Sequence, residues 1–265
     1  MKRLKTLQWA FTLALCAFMV VPVALSACAG LTENAAQGLA SGLTLRWLAE
    51  VWGQYRQAIG FSLLVALANC AITLAAGVPA GYVLARSHHR AARIVEDLLM
   101  LPVAVPGLAT ALGLLVVYGS AGAYRNSLWF IVTGHVVFTL PFMVRSVAAV
   151  CASVDLATLE EGAASLGARF WQRTLTVVLP AIRPGIVAGA LTVVTLSLGE
   201  FNLTWMLHTP LTQTLPVGLA DAYASMRLEV ASAYTVIFFV ILTPILILMQ
   251  VCGVNSVGAL DRNTR

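Results

Sequence analysis

The chain contains few charged residues for its length. Only 10% of its 265 residues are charged and 60% are hydrophobic, whereas about a quarter of the residues in a soluble domain are charged. This composition excludes an ordinary soluble domain and predicts an integral membrane protein.

Lysine is almost absent, since the chain's lysines are Lys2 and Lys5. A P-loop places a lysine after a glycine-rich turn, where its ammonium group contacts the nucleotide phosphates. No such loop can exist beyond position 5 of this sequence. If the protein runs on ATP, another chain must hydrolyse it.

Motifs for catalysis and metal binding are also missing. The sequence has four histidines and five cysteines, without an H-E-x-x-H, G-x-S-x-G or C-x-x-C pattern. Such patterns carry the ligands or nucleophiles of common hydrolases and metal sites. We therefore expect no catalytic residues, no metal site and no cofactor in this chain, and a membrane-embedded enzyme is disfavoured.

Long apolar runs are abundant. A membrane-spanning helix needs about 20 apolar residues, and the sequence offers six such segments, at 8–28, 58–85, 97–118, 128–150, 184–207 and 232–253. The alternating ten-residue strands of an outer-membrane barrel are absent. The fold class predicted is therefore an all-α integral membrane protein.

The first apolar segment has two interpretations. Lys2, Arg3 and Lys5 precede it, as in a signal peptide, and Leu25–Cys28 resembles a lipoprotein cleavage box. The segment is nevertheless about 20 residues long, which suits a membrane span better than a short signal core. We predict an uncleaved first span.

The basic residues predict the orientation. With the N-terminus inside, twelve lie in or near the cytoplasm and four lie outside, namely Arg46, Arg56, Arg125 and Arg227. This asymmetry obeys the positive-inside rule. The net charge of +5 is then explained by topology, and no nucleic-acid partner is expected. Both termini are predicted to be cytoplasmic, in an inner or plasma membrane.

Two segments are predicted to lie outside. In residues 29–57, Leu45, Leu48, Trp52 and Tyr55 recur at helical spacing, which favours an amphipathic helix at the membrane interface. Contact of this segment with an external partner is the alternative. Residues 209–230 contain prolines and threonines that indicate a folded loop or a broken helix.

The most distinctive segment is the polar interruption at 161–180. Asp155 can cap a short helix before it, and Gly167 can adopt positive φ and end that helix. We expect Pro180 to end a second polar piece, and Pro184 to occupy the first turn of the next span. The pattern predicts a helix–turn–helix under the membrane.

This segment resembles the EAA loop of permease subunits from binding-protein-dependent type I ABC importers, whose pattern is E-A-A-x3-G-x9-I-x-L-P. The matching residues are Glu161, Gly162, Ala163, Gly167 and the run from Val177 to Leu179 and Pro180. Gly162 replaces an alanine and Val177 an isoleucine. The glycine should weaken the helix by up to about 1 kcal/mol. The runs at 101–115 and 197–207 also resemble that family.

The resemblance implies a six-helix permease fold with a cytoplasmic coupling helix. It divides the chain into a first span with an external segment (1–57), a permease core (58–253) containing the EAA-like loop (155–183), and a cytoplasmic tail (254–265). It also implies ABC ATPase subunits that Glu161 would contact, a second permease or a second copy of this chain, and an extracytoplasmic substrate-binding protein, all in a lipid bilayer.

The transport pathway is less constrained by sequence. Glu200 lies in or near the fifth apolar segment, where a carboxylate is costly and hence a functional candidate. With Asn202 and Thr204 it could line a polar pathway or close a gate, or it could form a structural hydrogen bond to a neighbouring helix. Pro102, Pro106 and Gly107 could bend the third span for substrate, although simple packing explains them equally well. The role of His135 is equally open.

The cargo is left open as well. The overall resemblance is nearest to the second permease of polyamine systems, and Glu200 would suit a cation. Phosphonate, thiamine, iron(III) and sulfate importers remain alternatives. A secondary transporter is disfavoured because, Glu200 apart, the charges lie in loops and at span ends.

Overall fold

A computed structural model provides the structure. It describes the backbone of residues 2–87 and 89–263, and the side chains of 5–87, 89–248 and 251. Within this described part the regular structure is helical, and the only β-type pairing is an isolated bridge between Thr32 and Leu43. The all-α prediction is confirmed.

The α-helices are α1 Lys2–Ala29, α2 Arg46–Arg86, α3 Arg90–Ala104, α4 Gly107–Tyr118, α5 Gly122–Arg125, α6 Leu128–Ser153, α7 Leu156–Ser165, α8 Phe170–Arg173, α9 Leu179–Gly199, α10 Asn202–Leu207, α11 Leu215–Ala224 and α12 Leu228–Asn263.

Five helical stretches of the described chain are long and apolar enough to cross a membrane, and α3 with α4 makes a sixth if the bent pair is one span. The chain direction bends by 103° between the two helices. The bend falls at Val105 and Pro106, where the backbone is extended, because proline cannot continue a helical hydrogen-bond ladder. The bend lies where the prolines of the third predicted span suggested one.

Two helix boundaries differ from the prediction. The helix predicted within 29–57 is present, but it is continuous with the second apolar segment in α2, which runs unbroken for 41 residues. Gly53 and Gly60 lie near the predicted boundary, but isolated glycines weaken a helix without ending it. The fifth span, expected to reach residue 207, ends at Gly199, because Glu200 has an extended backbone (φ −74°, ψ 118°).

The chain forms two compact units, and each is described by itself. The larger, Gly60–Pro216 with Leu242–Arg265, has α6 packed between α2 and α9. A Cβ added to Gly81 would lie 2.7 Å from the Val144 carbonyl oxygen, and one on Gly185 would lie 2.8 Å from that of Ser146. Such small residues let membrane helices approach closely. The Ser146 hydroxyl also donates to the Gly185 carbonyl at 2.8 Å.

The smaller unit comprises Met1–Ile59 and Val217–Ile241. Arg227 forms an ion pair with Glu50, and this hydrogen bond raises the pKa of Arg227. The backbone N–H of Ala35 donates to Glu229 at 3.1 Å. These contacts hold the segment after α1 and the start of α2 against the α11–α12 turn. The predicted tail, 254–265, is helical in its backbone to Asn263, and its side chains lie outside the described residues.

Candidate coupling site and polar pathway

Asp155 begins the polar segment between α6 and α9. Its carboxylate accepts from the Thr158 hydroxyl at 2.6 Å and from the Thr158 backbone N–H at 3.3 Å. These two hydrogen bonds lower the pKa of Asp155, the hydroxyl contributing most. Asp155 is therefore the N-cap of α7, where an acidic acceptor satisfies a free N–H. The structure agrees with the cap predicted from sequence.

Gly167 ends α7 in the left-handed conformation, with φ +81°. Its N–H donates to the Ala164 carbonyl at 2.9 Å, and the N–H of Ala168 donates to the Ala163 carbonyl at 3.1 Å. These two bonds form a Schellman motif, which closes a helix by satisfying its last carbonyls. Glycine is favoured here because a side chain at positive φ is strained.

The ten residues of α7 present two different faces. Leu156 and Glu160, four positions apart, are buried, at 3% and 8% exposure. Leu156 joins a core cluster with Val178 and Ile182. Glu161 and Gly162 are exposed, and Ala163 is half-buried. Because successive helical residues are rotated by 100°, the neighbours Glu160 and Glu161 occupy different environments.

Glu160 is held by the end of α2. The Tyr82 hydroxyl donates to its carboxylate at 2.6 Å, and Arg86 forms an ion pair with the same carboxylate. Arg86 also donates to the Tyr82 oxygen at 2.8 Å. Sequence reasoning missed this contact, because it joins residues 74 positions apart in the chain. The available signal was an acidic residue in helical register with Leu156, in a chain that has only 11 acids.

The second half of the polar segment differs from prediction. After α8, Thr174–Val178 forms a π-helical turn that leads directly into α9. Pro180 therefore does not end a separate piece; it lies in the first turn of α9, where its missing N–H costs little. Val178 is buried, Leu179 is half-buried and Pro180 is exposed.

Large apolar side chains are exposed along this segment. Leu166 and Trp171 are 89% and 71% exposed, and Phe170 and Leu175 are also uncovered. All four residues lie between the end of α7 and the start of α9. Exposed apolar groups rimmed by polar residues are typical of a protein- or membrane-contact surface.

The predicted pathway residue Glu200 caps the start of α10. Its carboxylate accepts from the backbone N–H groups of Leu203 and Thr204, both at 3.0 Å, and from the Thr204 hydroxyl at 3.2 Å. Backbone N–H groups at a helix start attract a carboxylate. These hydrogen bonds are local, to residues three and four positions later in the chain, and a role of Glu200 in the pathway stays a prediction.

His135 extends this polar cluster into α6. Its Nε2 lies 2.8 Å from the Thr204 hydroxyl and its Nδ1 lies 2.7 Å from the Ser197 hydroxyl. His135 and Thr204 are almost completely buried. The histidine thus ties the last turn of α9 to α10 across the break at Glu200. Asn202, the third predicted pathway residue, is exposed.

The break after α9 lies beside the break in the third span. A Cβ added to Gly107, the first residue of α4, would lie 3.5 Å from the Glu200 carboxylate and 3.6 Å from the Leu203 nitrogen. Broken helices within a membrane are typical of transport pathways, where freed backbone groups line a cavity or meet polar side chains.

Relatives of known name span much of the chain. It is 28% identical over 226 residues, covering 84% of this chain and 85% of the relative, to PhnV of Salmonella paratyphi A, a permease protein named for 2-aminoethylphosphonate transport. It is also 28% identical over 208 residues to the molybdenum transport system permease protein ModB of Haemophilus influenzae, covering 73% of this chain and 90% of the relative.

A solved structure has the same fold. The chain superposes on one from the crystal structure of a bacterial alginate ABC transporter in complex with an alginate pentasaccharide-bound periplasmic protein, with a TM-score of 0.73 over 93% of this chain and 92% of the other. The sequence identity is 15%, so this likeness shows the importer permease fold alone. The family model described as binding-protein-dependent transport system inner membrane component matches residues 77–253. The chain therefore belongs to that family and is a permease subunit of a binding-protein-dependent ABC importer.

Proposed function

We propose that a separate ATPase subunit drives this permease by docking on α7, with Glu161 as the charged group presented to it. The observation that carries the proposal is the two-sided construction of α7. Its inner face is fixed by Leu156 and Glu160, whereas Glu161 is exposed. A rigidly held helix with a free charged face is suited to receive a partner and pass on its movement.

The proposed docking side is cytoplasmic. Arg169 and Arg173 follow α7 directly, and basic residues near span ends favour the cytoplasmic side. The same charge asymmetry supports cytoplasmic termini in a bacterial inner membrane. ATP is cytoplasmic, so an ATPase would meet the loop on this side.

Two further partners belong to the proposal. An importer of this family works with an extracytoplasmic binding protein, which the family description includes by name. A second permease, or a second copy of this chain, would share the transport pathway with it. The remaining apolar surface would face lipid.

For the cargo we propose a small oxyanion. Phosphonate is an oxyanion, molybdenum is soluble in water mainly as its oxyanion, and the two relatives are named for these solutes. The Glu200 carboxylate, which suggested a cationic polyamine, accepts three hydrogen bonds from α10 and is thereby less available to a cation. Polyamine uptake remains the alternative outcome of the test.

Energy coupling is tested in proteoliposomes that contain the complete complex and its binding protein. We expect uptake only when ATP is supplied on the side of α7, with no requirement for an ion gradient. Uptake driven by a proton or sodium gradient without ATP would instead identify a secondary transporter.

Docking is tested by replacing Glu161 with lysine. We expect the ATPase to dissociate during purification, because the exposed charge is reversed. Glu33→Lys makes the same charge change at an exposed site outside the loop and should retain the ATPase. Normal ATPase retention in Glu161→Lys would refute the docking role.

The cargo is tested with the gene deleted and restored. Uptake of labelled 2-aminoethylphosphonate, molybdate, sulfate, thiamine, iron(III) and spermidine is compared in the two strains. We expect loss of one oxyanion on deletion and its recovery on complementation. Selective loss of spermidine would overturn the oxyanion proposal.

A further inference from the structure

We propose that Glu160, Arg86 and Tyr82 form an anchor through which α7 transmits its displacement to α2. The inference rests on the proposed coupling role of α7 and assigns a positioning function to three residues that do not face the ATPase. Glu161 would receive the partner, and Glu160 would pass the motion into the membrane.

The anchor is a closed triangle of hydrogen bonds. Tyr82 donates to one oxygen of Glu160, Arg86 pairs with the other, and Arg86 donates to the Tyr82 oxygen. The guanidinium also lies 5.7 Å from the centre of the Tyr82 ring. Each polar group has two partners, so the carboxylate is fixed in direction as well as in position.

The anchor lies beside a region that apolar packing fills incompletely. An open groove of about 240 Å³ is lined there by Ala85 and Arg86 of α2 and by Leu156 and Ala157 of α7. The end of α2 and the start of α7 therefore both border the groove, and the ion pair connects the two helices next to it. The Glu160 side chain is 11% exposed and that of Arg86 is 38% exposed, so removing either partner would leave the other charge partly buried without its counter-ion.

The chain itself joins α7 only to α6 and, through α8, to α9. A connection to α2 has to be non-covalent. Apolar packing of Tyr82 and Ala85 on the cluster that contains Leu156 supplies part of it, and the anchor adds a directional polar contact at the last turn of α2, where Arg86 also complements the helix dipole. A shift of α7 would thus move three spans together. Without the anchor, α2 would follow less closely.

The test reverses the anchor charges in the reconstituted complex. Glu160→Arg and Arg86→Glu should each raise the ATP hydrolysed per substrate imported by roughly tenfold, a usual size for coupling between sites, while the ATPase stays bound. The double variant Glu160→Arg/Arg86→Glu should restore coupling to within about threefold, because the pair is re-formed with its charges exchanged. Unchanged coupling in the single variants, or no rescue in the double variant, would overturn the proposal.

Milder variants keep the test decisive if a reversed charge prevents assembly. Glu160→Gln keeps the shape and Tyr82→Phe removes one hydroxyl; each should impair coupling while complex yield and Tm stay near those of the wild type. Equal loss of yield and coupling would assign the triangle to folding alone. Loss of the ATPase from the Glu160 variants would assign Glu160 to docking. Failure of the proposed docking role is distinguished from this, because it would be seen as retention of the ATPase by Glu161→Lys.

Discussion

Glu160 and Glu161 are neighbours in the sequence but lie in opposite environments. Glu160 is 8% exposed and pairs with Arg86, whereas Glu161 is exposed on the other face of α7. One rotation of 100° along the helix separates a group bound within the chain from a group available to a partner. The two glutamates should therefore respond differently to substitution.

Gly162→Ala should strengthen the docking helix. A Cβ at this position meets no atom within 4 Å, and alanine favours a helix over glycine by up to about 1 kcal/mol. We expect equal or tighter retention of the ATPase, measured by its dissociation rate from the purified complex. Faster dissociation would show that the outer face requires the glycine.

Gly167→Ala should have the opposite effect, although it makes the same chemical change five residues later. The position has φ +81° and open space around it, so the cost is backbone strain of roughly 1–2 kcal/mol. We expect a lower Tm of the complex and weaker ATPase retention. Gly167→Asn, which tolerates this conformation better, is the control and should lose less than the alanine variant.

Glu200→Gln distinguishes a cap from a cation site. Glutamine keeps an oxygen that can accept from the Leu203 and Thr204 N–H groups, so uptake should fall no more than about threefold for a capping role, equivalent to less than 1 kcal/mol. Glu200→Ala removes the cap and should lower stability by about 0.5–2 kcal/mol, measured as Tm. Abolished uptake in Glu200→Gln, with normal Tm, would instead assign the charge to the cargo.

His135→Ala should destabilise the α9–α10 break. The Ser197 and Thr204 hydroxyls would lose a buried partner, at a cost of about 1–3 kcal/mol. The matched control is His208→Ala, because the Nδ1 of His208 lies 2.8 Å from the Trp205 carbonyl oxygen of its own turn; we expect a change within about 0.5 kcal/mol. Similar Tm values for the two variants would contradict the role of His135.

The sequence predicted what depends on composition and local spacing. Apolar length located the membrane helices, and Asp155 and Gly167 marked the two ends of α7, because caps depend on residues a few positions apart. It failed for Glu160, whose partner Arg86 is distant in the chain. The sequence also failed to predict the end of α9. Apolar residues such as Leu198 and Leu203 lie on both sides of Glu200, so hydropathy gives no sign that the helix ends there.

Docking of the ATPase on α7 is tested by crosslinking from position 161 in the assembled importer. A photo-crosslinking amino acid is placed at 161, and separately at 33 as the control, in a complex that still imports its cargo. We expect an adduct with the ATPase subunit from position 161 and none from position 33. An active complex in which position 161 yields no ATPase adduct would show that the ATPase does not dock at Glu161.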